Sequence, residues 1–180
     1  MTLDDHGFEL FEQNEYPLAY LITFRTYGTW LHGDERWSTR HQRKRPNESK
    51  IIPPNVPLND EMVAITDKPV VLDRAQRKVV YHAIRELCER REYLLRAHDV
   101  RSNHAHVVLS AAARPERIAD ALKAAATRKL RESGSIQPAG RVWARGRSRR
   151  YLWKPRHVEA AVDYVLYCQS DVPFELEDLS

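Results

Sequence analysis

The sequence predicts an α+β domain in which helices cover an antiparallel sheet. Three observations lead there. Short runs of β-branched and aromatic residues alternate with longer segments of helical periodicity. Two of the apolar runs are joined by a three-residue polar link, which reads as a hairpin turn. The predicted order is strand, helix, strand, strand, helix, strand, helix, with no internal repeat. A chain of 180 residues, 42% apolar and 30% charged, is about one domain long and can bury one core.

Residues 1–16 are polar and acidic and read as a partly ordered arm. Residues 20–26, Y-L-I-T-F-R-T, are predicted as a strand that ends in a turn at 27–30, where Gly28 relaxes the backbone. Residues 31–72 hold the basic run Arg40, His41, Gln42, Arg43, Lys44, Arg45 and prolines 46, 53, 54, 57 and 69. The prolines are expected to block regular hydrogen-bonded structure, and so long an excursion tends to be functional or mobile. Asp73 and Gln76 have capping-box spacing, each able to satisfy an orphan amide of the other. The helix they open has Val79, Val80, Ala83, Ile84, Leu87 and Cys88 on one face. Residues 93–100 and 105–111 form the hairpin, linked by Arg101, Ser102 and Asn103. Pro115 suits the first turn of a second helix, with Ile118, Ala121, Leu122, Ala125 and Leu130 as its buried stripe and Gly134 as its stop. Residues 142–153 are expected to form another strand. Residues 156–169 form a last helix, with Val158, Ala161, Val162, Val165 and Leu166 inward, ending before Pro173. A single domain over 17–172 and an acidic tail over 173–180 complete the layout.

Composition narrows the function. Cys88 and Cys168 are too few for a disulfide framework or a four-thiolate zinc site, which fits a reducing compartment. No basic n-region precedes an apolar stretch, and nothing approaches the roughly 18 apolar residues of a spanning helix, so a cytoplasmic protein with no membrane partner is expected. The formal charge is +4, from 29 basic and 25 acidic residues, but its distribution is uneven.

Three constellations carry chemistry. In N-H-A-H-V-V-L, His104 and His106 sit at i and i+2 of a strand, so both can reach one metal ion while Ala105 and Val107 point into the core. H-x-H alone is a short motif, and two ordinary histidines would also satisfy it. In D-Y-V-L-Y-C-Q, Tyr164 and Cys168 share a helix face, with Tyr167 and Gln169 close by. A tyrosine beside an amide oxygen suits metal-assisted phosphoryl transfer. With an ordinary pKa of about 10, a phenol is only about 0.1% ionised at neutral pH, a deficit of roughly 4 kcal/mol, so a cation or base must assist it. Packing tyrosines on an amphipathic helix are the plainer alternative. Finally, residues 141–156, R-V-W-A-R-G-R-S-R-R-Y-L-W-K-P-R, contain no acid and interleave Arg145, Arg147, Arg149, Arg150 and Lys154 with Trp143, Tyr151 and Trp153. Guanidinium groups grip phosphates and aromatic rings stack on unpaired bases, which points to single-stranded nucleic acid.

Taken together, these motifs resemble the HUH superfamily of single-strand DNA endonucleases, in particular the REP-associated, IS200-like single-tyrosine transposases. T-Y-G-T-W-L-H-G-D (26–34) is similar to that family's Y-G-T-W-L-P-G-D, with His32 in place of the usual proline. R-S-N-H-A-H-V-V-L, L-K-A-A-A-T-R-K-L and A-V-D-Y-V-L-Y-C-Q follow in the family's order. The resemblance implies a ferredoxin-like fold, Mg²⁺ or Mn²⁺ as cofactor, and cleavage that leaves a 5′-phosphotyrosine and a free 3′-hydroxyl. It makes His104 and His106 metal ligands, Tyr164 the nucleophile and Gln169 the third ligand. Some relatives place that amide one residue earlier, where this chain has Cys168, and Tyr167 is the fallback nucleophile. Hairpin-associated single-stranded DNA is then the expected partner, a homodimer is compatible with the reading, and a nucleoid-associated location follows. A domesticated, noncleaving DNA-binding protein and an RNA-binding module are the alternatives.

Overall fold

The computed structural model describes residues 15–29, 38–42, 45–52, 55–57, 63 and 68–168, and the expectations for residues 30–34, the N-terminal arm, Gln169 and the acidic tail lie outside them. Four strands form an antiparallel sheet: β1 (Ala19–Arg25), β4 (Leu94–Val100), β5 (His104–Ser110) and β6 (Ser148–Leu152), in the order β4-β5-β1-β6. Three helices accompany it: α1 (Arg74–Arg90), α2 (Pro115–Glu132) and α3 (Pro155–Tyr167). The α+β class predicted from the sequence is the observed one.

The sheet is the middle layer, and strand alternation explains why. On β1, Tyr20, Ile22 and Phe24 point to one face, where they join Val107 and Leu109 of β5 and the buried stripes of α1 and α2 in the larger core cluster. Ala19 points to the other face, where a smaller cluster unites it with Val108, Leu152 and the Val158, Ala161, Val165 stripe of α3. Fully burying each large side chain of these clusters contributes about 1.5–3 kcal/mol. The two clusters hold helices on opposite faces, so α3 covers the face that α1 and α2 leave open.

Local signals place most boundaries. Asp73 Oδ1 accepts from the Gln76 amide at 2.8 Å while Gln76 Oε1 accepts from the Asp73 amide at 2.9 Å, the reciprocal capping box. Gly134, with φ +68°, stands just past the end of α2, where a side chain would be strained. The hairpin closes where the Arg101 amide donates to the His104 carbonyl at 2.8 Å, and the Asn103 carbonyl in its turn accepts from the Thr26 amide just after β1.

Two expectations need correction. Residues 31–72 are not devoid of regular structure, because β2 (Ser38–Gln42) and β3 (Arg45–Ile52) pair as a separate antiparallel ribbon. Pro46 is tolerated because the register steps from His41↔Ser49 to Gln42↔Arg45, leaving it in the irregular stretch, where no ladder amide is needed. The strand predicted over 142–153 is confined to Ser148–Leu152, preceded by one isolated bridge between Thr26 and Trp143. The register slips by two residues between the Thr23↔Ser148 pair and the Thr26↔Trp143 bridge, and Lys123 Nζ of α2 donates to the carbonyls of Ala144 and Gly146 in the bulged stretch, both at 2.8 Å.

Candidate active site

β5 delivers both histidines of H-A-H to the α3 side of the sheet, while Ala105 and Val107 are fully buried in the opposite core. The imidazole rings of His104 and His106 lie 4.7 Å apart between centroids. Register supplies what neither motif contained. His106 pairs with Thr23 of β1, and Thr23 Oγ1 lies 2.7 Å from His106 Nδ1; His104 pairs with Arg25. His104 Nδ1 lies 2.6 Å from Asn103 Oδ1, which can only accept. That hydrogen bond puts the proton of neutral His104 on Nδ1 and leaves Nε2 with a lone pair for a metal ion. The Thr23 hydroxyl can accept from His106 Nδ1–H, which gives His106 the same tautomer, or donate to Nδ1, which gives the other.

α3 completes the cluster. The edge of the Tyr164 ring meets His106 with centroids 5.6 Å apart and planes at 74°. Tyr164 is 43% exposed, whereas Tyr167, at 68%, sits further out in solvent. The ring in contact with His106 is thus Tyr164, the residue the sequence resemblance expects as nucleophile. Packing of α3 also buries His106 to 7% exposure. That burial pushes its pKa down to about 3, with the charges of His104, Arg25 and Arg101 acting in the same direction, so the imidazole is neutral across the physiological range. Among the described residues no cluster of three or more His, Cys, Asp or Glu side chains could hold a metal. Two imidazole nitrogens are a partial donor set, and the residue proposed to complete it, Gln169, lies outside the described residues.

The basic segment divides. By register with Leu21, Arg150 faces the same side as the histidines, and among the described residues it has no acidic partner. Arg147 and Arg149 are engaged with α2: Arg147 Nη1 lies 2.7 Å from Asp120 Oδ1 and Arg149 Nε 2.9 Å from Glu116 Oε1. The stretch without acids is therefore partly neutralised by acids from another element. Tyr151 meets Tyr20 edge-on at 5.3 Å and stacks with Trp153 at 6.4 Å, which puts this aromatic pair at the sheet edge. Arg145 is exposed and Lys154 is the residue that precedes α3. Trp143 belongs to the core, donating from Nε1 to Lys123 O and Thr127 Oγ1, both at 3.1 Å.

A groove of about 960 Å³ joins these parts, lined among others by Thr23, Arg25, His106, Arg150, His157 and Tyr164. Thr23, Arg25 and His157 were not singled out from the sequence. Alternation along Y-L-I-T-F-R-T does put Thr23 and Arg25 on one face, but only the pairing with β5 shows that it is the histidine face.

No family model matches the sequence, and neither does a curated protein. Two solved structures are similar to it. One is described as a REP-associated tyrosine transposase bound to a REP hairpin; it is 11% identical, with 92% of this chain and 71% of that chain covered and a TM-score of 0.48. The other is a "putative transposase" from Deinococcus radiodurans R1; it is 16% identical, with 84% and 89% covered and a TM-score of 0.46. No described helix is long and apolar enough to cross a membrane.

Proposed function

We propose that this chain is a divalent-metal-dependent endonuclease and strand transferase that cuts single-stranded DNA at hairpin-associated sites through Tyr164. The observation that carries the reading is the meeting of the Tyr164 ring with the His104–His106 pair, brought from a separate element onto the same sheet face. Packing alone does not call for two imidazoles, each tied at Nδ1, beside a half-exposed phenol and an arginine.

His104 and His106 would hold Mg²⁺ or Mn²⁺, with Gln169 as the third ligand that the family resemblance implies. Imidazole donors favour Mn²⁺ of the two. Such an ion, when bound, supplies positive charge against the charge that builds on the scissile phosphate. Tyr164 Oη attacks phosphorus in line, and the bond to the 3′-oxygen breaks as the new O–P bond forms. The phenolic proton passes to water, to which the ring is open, and the departing 3′-oxygen takes a proton from water. The resulting 5′-phosphotyrosine keeps the phosphodiester energy for rejoining, which is what strand transfer requires. Arg25, opposite His104 and facing the groove, supplies a further cation beside the reacting phosphate.

The test is to incubate the protein and Mg²⁺ or Mn²⁺ with single-stranded oligonucleotides from the DNA flanking its own gene. The expected result is a denaturant-resistant covalent adduct, absent with Tyr164→Phe although that variant still binds DNA. An adduct that persists in Tyr164→Phe and vanishes in Tyr167→Phe would move the nucleophile to Tyr167. Binding without any adduct would indicate a noncleaving binder, and an adduct on RNA but not on DNA of the same sequence would overturn the substrate class.

A further inference from the structure

We propose that the groove beside the histidine and tyrosine cluster holds a second phosphate of the same strand, gripped by Arg150 and His157. The proposal rests on the single-strand reading above. None of the residues lining the groove is Asp or Glu, whereas Arg25, Arg150 and His157 supply nitrogen donors and Thr23 and Ser148 supply hydroxyls. The lining is that of an anion site.

Register and helix geometry separate two positions within it. Arg25 stands opposite His104 at one end, and Arg150 stands opposite Leu21, further along β1, at the other. On α3, His157 lies seven residues before Tyr164, two helical turns along the same face and about 10 Å away. That is about three stacked nucleotide steps of about 3.4 Å, and fewer in an extended strand. A lone phosphate cannot occupy both positions, but successive phosphates of one strand can. Arg150 is also the arginine of β6 that α2 leaves available, since Arg149 and the preceding Arg147 are held by Glu116 and Asp120. A guanidinium from β6 and an imidazole N–H from α3, lining one groove, offer donors from two elements to a phosphodiester oxygen.

The experiment uses the Tyr164→Phe chain, so that no strand is cut, and single-stranded DNA in which each phosphate in turn is replaced by a neutral methylphosphonate. One position within three nucleotides of the cleaved bond, other than the scissile phosphate, should weaken binding about tenfold, the loss of one charge-assisted hydrogen bond. In Arg150→Gln combined with His157→Gln that penalty should fall below twofold, while the penalty at the scissile phosphate stays. Both side chains are exposed, and each single substitution should remove part of the penalty. A penalty of unchanged size in the double variant, or none outside the scissile position, overturns the proposal. If the native chain forms no adduct with any strand, the endonuclease reading itself fails; an adduct without the coupled penalty fails the subsite alone.

Discussion

At the residue scale, the two histidines differ in how they are held. His104 is fixed by its own neighbour, Asn103, and His106 by a residue from another strand, Thr23. Groups that orient a ligating imidazole usually matter 10–100-fold for metal affinity or activity when lost. Thr23→Val keeps the shape and removes the hydroxyl. We expect at least about a tenfold rise in the Mn²⁺ concentration needed for half-maximal adduct formation, with the urea midpoint nearly unchanged. An unaltered metal titration would mean that Thr23 does no more than pack against His106.

At the scale of elements, the approach to β6 depends on a buried lysine. Lys123 is 9% exposed on an otherwise apolar face of α2, and its Nζ serves the carbonyls of Ala144, Gly146 and, at 3.5 Å, Arg145. Burial pushes its pKa down to about 8, with Arg147 adding to the fall, yet the amine keeps its proton at neutral pH and donates to those oxygens. Lys123→Met has a similar stem and no donor, so the carbonyls of Ala144 and Gly146 lose a charged hydrogen-bond partner. A loss of about 2 kcal/mol in urea unfolding is expected, with faster amide exchange over 148–152. Unchanged exchange there would show that the turn before β6 holds itself.

At the scale of the whole molecule, two solution properties follow. The first is acid sensitivity. His98 is 3% exposed, stacked on Tyr81 at 3.9 Å, with Nε2 3.3 Å from the Tyr81 carbonyl. Burial pushes its pKa from 6.5 down to about 4, outweighing the raising effect of that hydrogen bond. Between those values the unfolded chain binds a proton that the folded chain does not, so stability rises with pH through this window and is lost as pH falls. The loss reaches about 3 kcal/mol at the lower end of the window, and His106 adds a loss of the same sign. Unfolding measured from pH 7 to 4.5 should show a steep fall that His98→Phe makes shallower, and an identical slope in the variant would refute the assignment. The second property is salt dependence. Arg150→Gln should lower the magnitude of the log-log slope of single-strand binding by about 0.7. Adding Arg147→Gln and Arg149→Gln should lower it by much less than a further 1.4 or so, because their charge is already met by Asp120 and Glu116. The full further drop would mean that these arginines leave α2 to meet DNA.

What the sequence determined by itself is what depends on near neighbours. The capping box at Asp73 and Gln76, the buried stripes of the three helices, the hairpin and the common face of His104 and His106 all follow from periods of 3.6 or 2 and from turn chemistry. The tertiary structure alone decided the partners. Nothing local states that α3 takes the sheet face opposite α1 and α2, that β1 pairs in the register that places Thr23 beside His106, or that acids on α2 neutralise Arg147 and Arg149. Lys123 reads locally as a solvent-exposed charge, and its burial depends on carbonyls some twenty residues away. The β2–β3 ribbon was hidden for a related reason. Proline is excluded from a regular ladder but accepted in an irregular one, and that difference lies in the pairing strand rather than in the proline's own neighbours.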